Sequence, residues 1–186
     1  HARALAYLQK AVAVYMEVLG PDHPDVSMSY TNIGLIYKDQ GALDRAMEYQ
    51  QKALAVRLKT LGPNHPSVAE NYINIGLNYQ HQGALDRAME YHQKALAILL
   101  ETLGPNHHYV AVCYNNIGQA YYDQYAFDES LSYFEKSLSC YLPTYRTPHN
   151  YGSLSITSPE VLNSTLHNKT QTLLRRRAPG DDTAAL

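Results

Sequence analysis

The stretch GALDRAMEYQQKALAVRLKTLG at residues 41–62 returns as GALDRAMEYHQKALAILLETLG at 83–104, with 18 of 22 positions unchanged. The step from Gly41 to Gly83 defines a period, and other marks keep it. Leu-Gly-Pro stands at 19–21, 61–63 and 103–105, and Asn-Ile-Gly at 32–34, 74–76 and 116–118. Self-similarity at a fixed period is the signature of a repeat architecture. A unit this short cannot bury its apolar face alone, so neighbours must stack. The repeat therefore points to an extended binding surface rather than to an enzyme.

Each period predicts two helices. The first begins after a proline suited to a first helical turn, as at Pro24 and Pro66. Tyr30, Ile33, Gly34 and Tyr37 then follow at i, i+3, i+4 and i+7, which is one helical face. Gly41 ends it, where a left-handed residue is favoured. The second helix places Ala46, Tyr49, Ala53, Leu54 and Val56 inward, and Leu-Gly-Pro stops it. This spacing predicts helices near 1–18, 24–40, 43–61, 66–82, 85–103, 108–124 and 127–142. The first is a lone second helix, and three full pairs follow.

Gly34, Gly76 and Gly118 each cost roughly 1 kcal/mol against alanine inside a helix. Their common register implies a close neighbour on that side. The last pair is looser: Ser130 and Ser137 replace the alanines, and Tyr125 replaces the turn glycine. Beyond 142 the repeat decays into a segment, 143–186, that holds 11 Ser or Thr and four Pro. Residues 143–158 read as a loop and 178–186 as a disordered tail. A capping helix is expected over 159–177, with Ser158 as its cap and Leu162, Leu166 and Leu173 turned onto the last pair.

Composition excludes several classes. With 15 Lys and Arg against 17 Asp and Glu, the formal net charge is −2, so no global field attracts nucleic acid or an anionic membrane. The longest apolar runs are a few residues, too short to span a bilayer. Cys113 and Cys140 form neither a disulfide framework nor a metal motif and suit a reducing cytoplasm. Tyrosine occurs 17 times, against two Phe and no Trp, which suggests half-wet packing positions.

The pattern Tyr30, Ile33, Gly34, Tyr37, Gly41, Ala46, Tyr49, Ala53, Leu54 resembles the tetratricopeptide repeat, and it recurs at Tyr72, Ile75, Gly76, Tyr79, Gly83, Ala88, Tyr91, Ala95 and Leu96. The period and the linker LGPNHPSVA (61–69) are similar to the long repeats of kinesin light chains. The resemblance covers roughly residues 1–142. It implies an all-α, right-handed α-solenoid of antiparallel helix pairs, whose first helices line a groove for an extended peptide. The heptad coiled coil that kinesin light chains also carry is not visible here.

If the Tyr-Ile-Gly-Tyr face packs inward, the opposite face of the first helices becomes the candidate groove. Its residues are Asn32, Leu35 and Lys38; Ile73, Asn74, Leu77 and His81; and Asn115, Asn116, Gln119 and Tyr122. Asparagine is a poor helix residue, yet Asn32, Asn74 and Asn116 share one register. A primary amide donates and accepts, so it can bond a peptide main chain of any sequence. Leu35, Leu77 and Ile73 would supply shallow apolar pockets between the amides. The competing reading is that each asparagine bonds the preceding helix and meets no ligand. Little positive charge faces the groove, so the expected partner is a weakly charged protein or peptide.

Other constellations are bland. His23, His65, His107 and His149 recur once per repeat, but stacked repeats hold equivalent atoms roughly 8–10 Å apart, too far to share a metal. They read as residues of helix starts. Asp44, Asp86 and Asp128 open the second helices, where negative charge suits the helix dipole. Arg175-Arg176-Arg177 suits a helix C-terminus for the same reason. No metal, cofactor or catalytic residue is expected. Two alternatives to a peptide-binding adaptor remain open: a structural segment of a longer array, or the sensor repeats of a signalling protein. The lone helix 1–18 would leave Leu5, Leu8 and Val12 partly uncovered, which favours a longer parent or end-to-end self-association.

Overall fold

A computed structural model describes residues 2–141 and 159–177, and among these the chain is all helix. The helices are α1 Ala2–Val18, α2 Pro24–Asp39, α3 Leu43–Leu61, α4 Pro66–His81, α5 Leu85–Leu103, α6 His108–Asp123, α7 Phe127–Tyr141 and α8 Pro159–Arg177. All seven repeat helices stand where the period predicts, with ends shifted by a residue at most. The expected loop 143–158, its cap Ser158 and the tail 178–186 lie outside the described residues. The chain divides into two compact units, 1–102 and 103–186.

Within the first unit α2 lies between α1 and α3, and α4 packs on α3 and α5. Chain reversal inside each pair uses one glycine with positive φ, Gly41 at +73° and Gly83 at +75°. That conformation is nearly free for glycine and costly for other residues. In the second unit Tyr125 adopts φ +62° at the same register, the one described non-glycine residue to do so. Its ring stays exposed, edge-on to Phe127.

The inward face of each pair is aromatic and small. The Tyr49 ring of α3 sits 5.9 Å from Tyr30 and 5.6 Å from Tyr37 of α2. Tyr91 repeats this with Tyr72 and Tyr79 at 5.8 and 5.5 Å, and Tyr133 with Tyr114 and Tyr121 at 6.2 and 5.4 Å. Cations close the stacks from outside: Arg45 lies over Tyr37, Arg87 over Tyr79, and Lys52, Lys94 and Lys136 over the central ring of their own helices. Ala46, Ala53, Ala88 and Ala95 are fully buried and let the helices approach.

The three helix glycines face a side chain of the partner helix. A Cβ at Gly34 would lie 2.8 Å from Gln50 Nε2 and 3.2 Å from the Ala46 carbonyl oxygen. At Gly76 it would lie 2.5 Å from His92 Cε1, and at Gly118 2.7 Å from Phe134 Cε1. Gln50, His92 and Phe134 occupy one register, each a full period from the next. The close approach expected at these glycines is therefore mainly that of one variable side chain.

The capping helix forms at 159–177, but its orientation corrects the expectation. Thr165 and Thr172 are buried, whereas Leu166 and Leu173 are exposed. Thr165 Oγ1 donates to Asn115 Oδ1 at 3.0 Å and lies 3.3 Å from Ser137 Oγ. Lys169 pairs with Glu135, and Arg176 with Asp128. Higher numbers on α8 thus meet lower numbers on α7, so α8 runs antiparallel to α7, as a first helix would. The surface it covers is polar because Ser137 stands where the other repeats have alanine. The side chain of Leu162 lies outside the described residues.

Candidate functional site: the outward face of the first helices

Three histidines start the first helices. Nδ1 of His23, His65 and His107 accepts the backbone N–H of Asp25, Ser67 and Tyr109 at 3.2, 3.1 and 3.2 Å. Each is an N-cap in extended conformation that satisfies a donor the helix itself leaves free. Among the described residues no three His, Cys, Asp or Glu side chains gather as metal ligands. The equivalent His149 lies outside them.

The outward face of the first unit joins α2 and α4. Asn32 is exposed, and Leu35 and Lys38 are half-buried; on α4, Asn74 and Leu77 are half-buried and His81 is exposed. Asn32 and Asn74 make no side-chain hydrogen bond within the described residues. Glu70, on the same face, is held by Arg57 Nη1 at 3.4 Å, so its charge is partly answered. Ile73 departs from the expectation: at 6% exposure it is buried and cannot form a surface pocket.

In the second unit the four expected residues divide. Asn116 and Gln119 are half-buried on α6, and the Gln119 amide donates to Asp123 at 2.9 Å. Asn115 is engaged by α8, through Thr165 and an Asn168 amide at 3.5 Å. Tyr122 lies beneath the Arg175 guanidinium, 4.9 Å from its ring centre. The expected groove roles of Asn115 and Tyr122 are therefore corrected: both side chains hold α8. Ile73 and Asn115 share one register, which points toward a neighbouring helix rather than outward.

A buried polar network escaped the sequence reading. Gln50 Nε2 donates to the Thr31 carbonyl oxygen at 3.3 Å, while Gln50 Oε1 accepts from Asn71 Nδ2 at 2.9 Å. This links α2, α3 and α4 through side chains that are at most 1% exposed at Gln50 and Asn71. In the next pair His92 Nε2 lies 3.1 Å from Gln80 Oε1. The available signal was the variable position opposite each glycine. Burial pushes the Cys113 thiol up to about 12 and Cys140 up to about 11, so both stay protonated near neutral pH and are poor nucleophiles.

Among the described residues no helix is long and apolar enough to cross a membrane. No curated protein sequence matches the chain. Among solved structures it resembles BtubC (BKLC) from P. vanneervenii, with 22% identity and TM-score 0.71 over 91% of this chain and 66% of that one. The chain thus spans slightly less than two thirds of that protein. It also resembles the nearly identical TPR-like repeats described for a kinesin light chain of Podosopora anserina, with 24% identity and TM-score 0.70 over 94% of this chain and 80% of that one. These likenesses establish the fold. The model of the tetratricopeptide repeat matches residues 1–59, 31–101 and 74–142, continuously covering every repeat described above, and the chain belongs to the tetratricopeptide repeat family.

Proposed function

We propose that the chain is a non-catalytic protein-interaction scaffold that binds an extended peptide segment of a partner, in the manner of kinesin light chain-like adaptor repeats. The observation that carries this reading is the pair Asn32 and Asn74. A structural asparagine inside a helix should bond a neighbouring helix, as Asn71 does through Gln50. Asn32 and Asn74 make no such bond and flank the partly exposed Leu35 and Leu77. Amides beside shallow apolar patches suit a ligand that offers main-chain groups and small apolar side chains.

Lys38 and His81 are the cationic or titratable groups in this candidate set, and Glu70 is paired with Arg57. A weakly charged peptide fits this surface better than a strongly acidic one. The two buried free cysteines fit a reducing, cytoplasmic setting. The test is peptide-display selection against the chain, then titration of the best hit against an Asn32→Ala/Asn74→Ala double variant. Alanine is the better helix former, so helicity should hold. Affinity should fall by roughly 1–3 kcal/mol, the usual cost of leaving polar partners unpaired. Unchanged affinity, or an unfolded double variant, would return both residues to a structural role.

A further inference from the structure

The turn between α6 and α7 departs from the period in a single chemical direction. Where the first unit has Lys38, Gly41 and Leu43, and then Gln80, Gly83 and Leu85, the second unit has Tyr122, Tyr125 and Phe127. Each change brings in an aromatic ring, and the three rings meet. Phe127 is half-buried, and both tyrosines stand edge-on to it, Tyr122 at 5.8 Å and 62° and Tyr125 at 6.2 Å and 80°. Neither tyrosine is stacked flat on Phe127, so the rings form an angled corner. Tyr125 is 73% exposed. Its backbone adopts φ +62°, which suits the glycines at 41 and 83 and makes a bulky residue an outlier. Burial of the ring does not offset that strain, because the ring stays in solvent. Strain held without such a gain marks a position kept for function.

We propose that this corner, Tyr122, Tyr125 and Phe127, is a docking site for a proline-rich segment of a partner protein, a second site that uses neither Asn32 nor Asn74. A polyproline II helix is extended before it binds and so loses little entropy, and its prolines dock between aromatic rings. Its carbonyl oxygens have no internal donor, and a tyrosine hydroxyl can supply one. The surrounding charges select against other ligands. Arg175 already lies over Tyr122, 4.9 Å from the ring centre, and Arg176 pairs with Asp128 at 3.0 Å. A methylated lysine seeking the same rings would meet these guanidinium groups. An acidic segment would meet the exposed Asp123, Asp128 and Glu129. An uncharged proline-rich segment meets neither penalty, and it takes its contacts from ring faces and hydroxyls alone.

The test titrates fluorescein-labelled decaproline with the whole chain and reads anisotropy. Saturable binding is expected, with little dependence on salt. Tyr125→Gly restores the residue of the other two turns, so the melting temperature should rise while binding weakens by roughly ten-fold or more. Phe127→Leu, which restores the residue of positions 43 and 85, should weaken binding as well, because it removes the ring that both tyrosines meet. The Asn32→Ala/Asn74→Ala variant should bind decaproline as wild type does. No binding up to about 1 mM, the range of the weakest specific contacts, would overturn the proposal. Equal binding by Tyr125→Gly, or loss of binding in the asparagine variant, would put the peptide elsewhere on the chain and overturn it too. A lower melting temperature for Tyr125→Gly would make Tyr125 a packing residue, against the proposal. Preference for a trimethyl-lysine peptide over decaproline, lost in Tyr125→Gly, would refute it by assigning the corner to a cation.

Discussion

His92 makes the folded state sensitive to acid, and the neighbouring repeat supplies the control. The ring is fully buried against Gly76, with Nε2 directed at Gln80 and Nδ1 buried without a hydrogen-bond partner. A second proton would place charge on Nδ1 in a site that offers it nothing. Burial accordingly pushes the imidazole down from its ordinary 6.5 to about 4. Well above pH 6.5 neither state binds the extra proton, and the group adds no pH dependence. As pH falls from 6.5 to 4 the unfolded chain takes it up and the folded chain does not, so stability is lost. The shift corresponds to a loss of about 2 kcal/mol between pH 7.5 and 5, growing to about 3 kcal/mol near pH 4. His92→Gln removes the titration, and Gln50 shows that an amide fits the same place against a glycine. Urea unfolding of both proteins at pH 7.5 and 5 isolates the difference, because every other group is shared. By the same linkage, wild type should lose about 2 kcal/mol more than the variant. Parallel pH profiles would refute the reasoning, as would an NMR titration in which the His92 ring charges near its ordinary pH while the protein stays folded.

Other substitutions follow from the same geometry. Gly76→Leu should lose about 1–3 kcal/mol or more through overpacking against His92, and thermal melting would show it. Gly76→Ala should be destabilising in wild type and milder in a His92→Ala background, a coupling that a double-mutant cycle measures. Tyr125→Gly should stabilise the second unit by roughly 1 kcal/mol, because glycine adopts the +62° φ without the strain of a side chain. His65→Ala should cost about 0.5–2 kcal/mol by removing the cap of α4, and His65→Asp should recover most of it, both read by urea denaturation.

The helices were legible because period and punctuation agree: proline opens each first helix of the first unit, glycine turns it, and Leu-Gly-Pro closes the second. Faces were legible where a strong pattern repeats, as with Tyr30, Ile33, Gly34 and Tyr37. In α8 they were not. Leu166 and Leu173 are seven residues apart, and so are Thr165 and Thr172, so helical spacing supports either stripe as the inner one. The surface waiting on α7 decides, and Ser137 made it polar. At the outward register Asn32 is exposed and Asn74 half-buried, whereas Ile73 and Asn115 lie at the edge of that face. One helical step of about 100° separates a groove residue from one held by the next helix, and spacing within a single helix does not reveal where that neighbour lies.

Near-identical repeats carry a hazard in assembly, since one second helix could take the place of its counterpart in the next period. Mispairing of this kind is a characteristic failure of repeat proteins. The Thr31–Gln50–Asn71 chain opposes it. With α5 in the position of α3, His92 would stand where Gln50 does and would meet Lys38, the residue at the register of Gln80, so it would lose the Gln80 oxygen it now faces and the amide that joins Thr31 to Asn71 would be absent. Each lost bond costs roughly 0.5–1.5 kcal/mol, more when a buried group is left unpaired. Gln50 therefore acts as an address: in two second helices that share 18 of 22 flanking positions, it marks the one that belongs between α2 and α4.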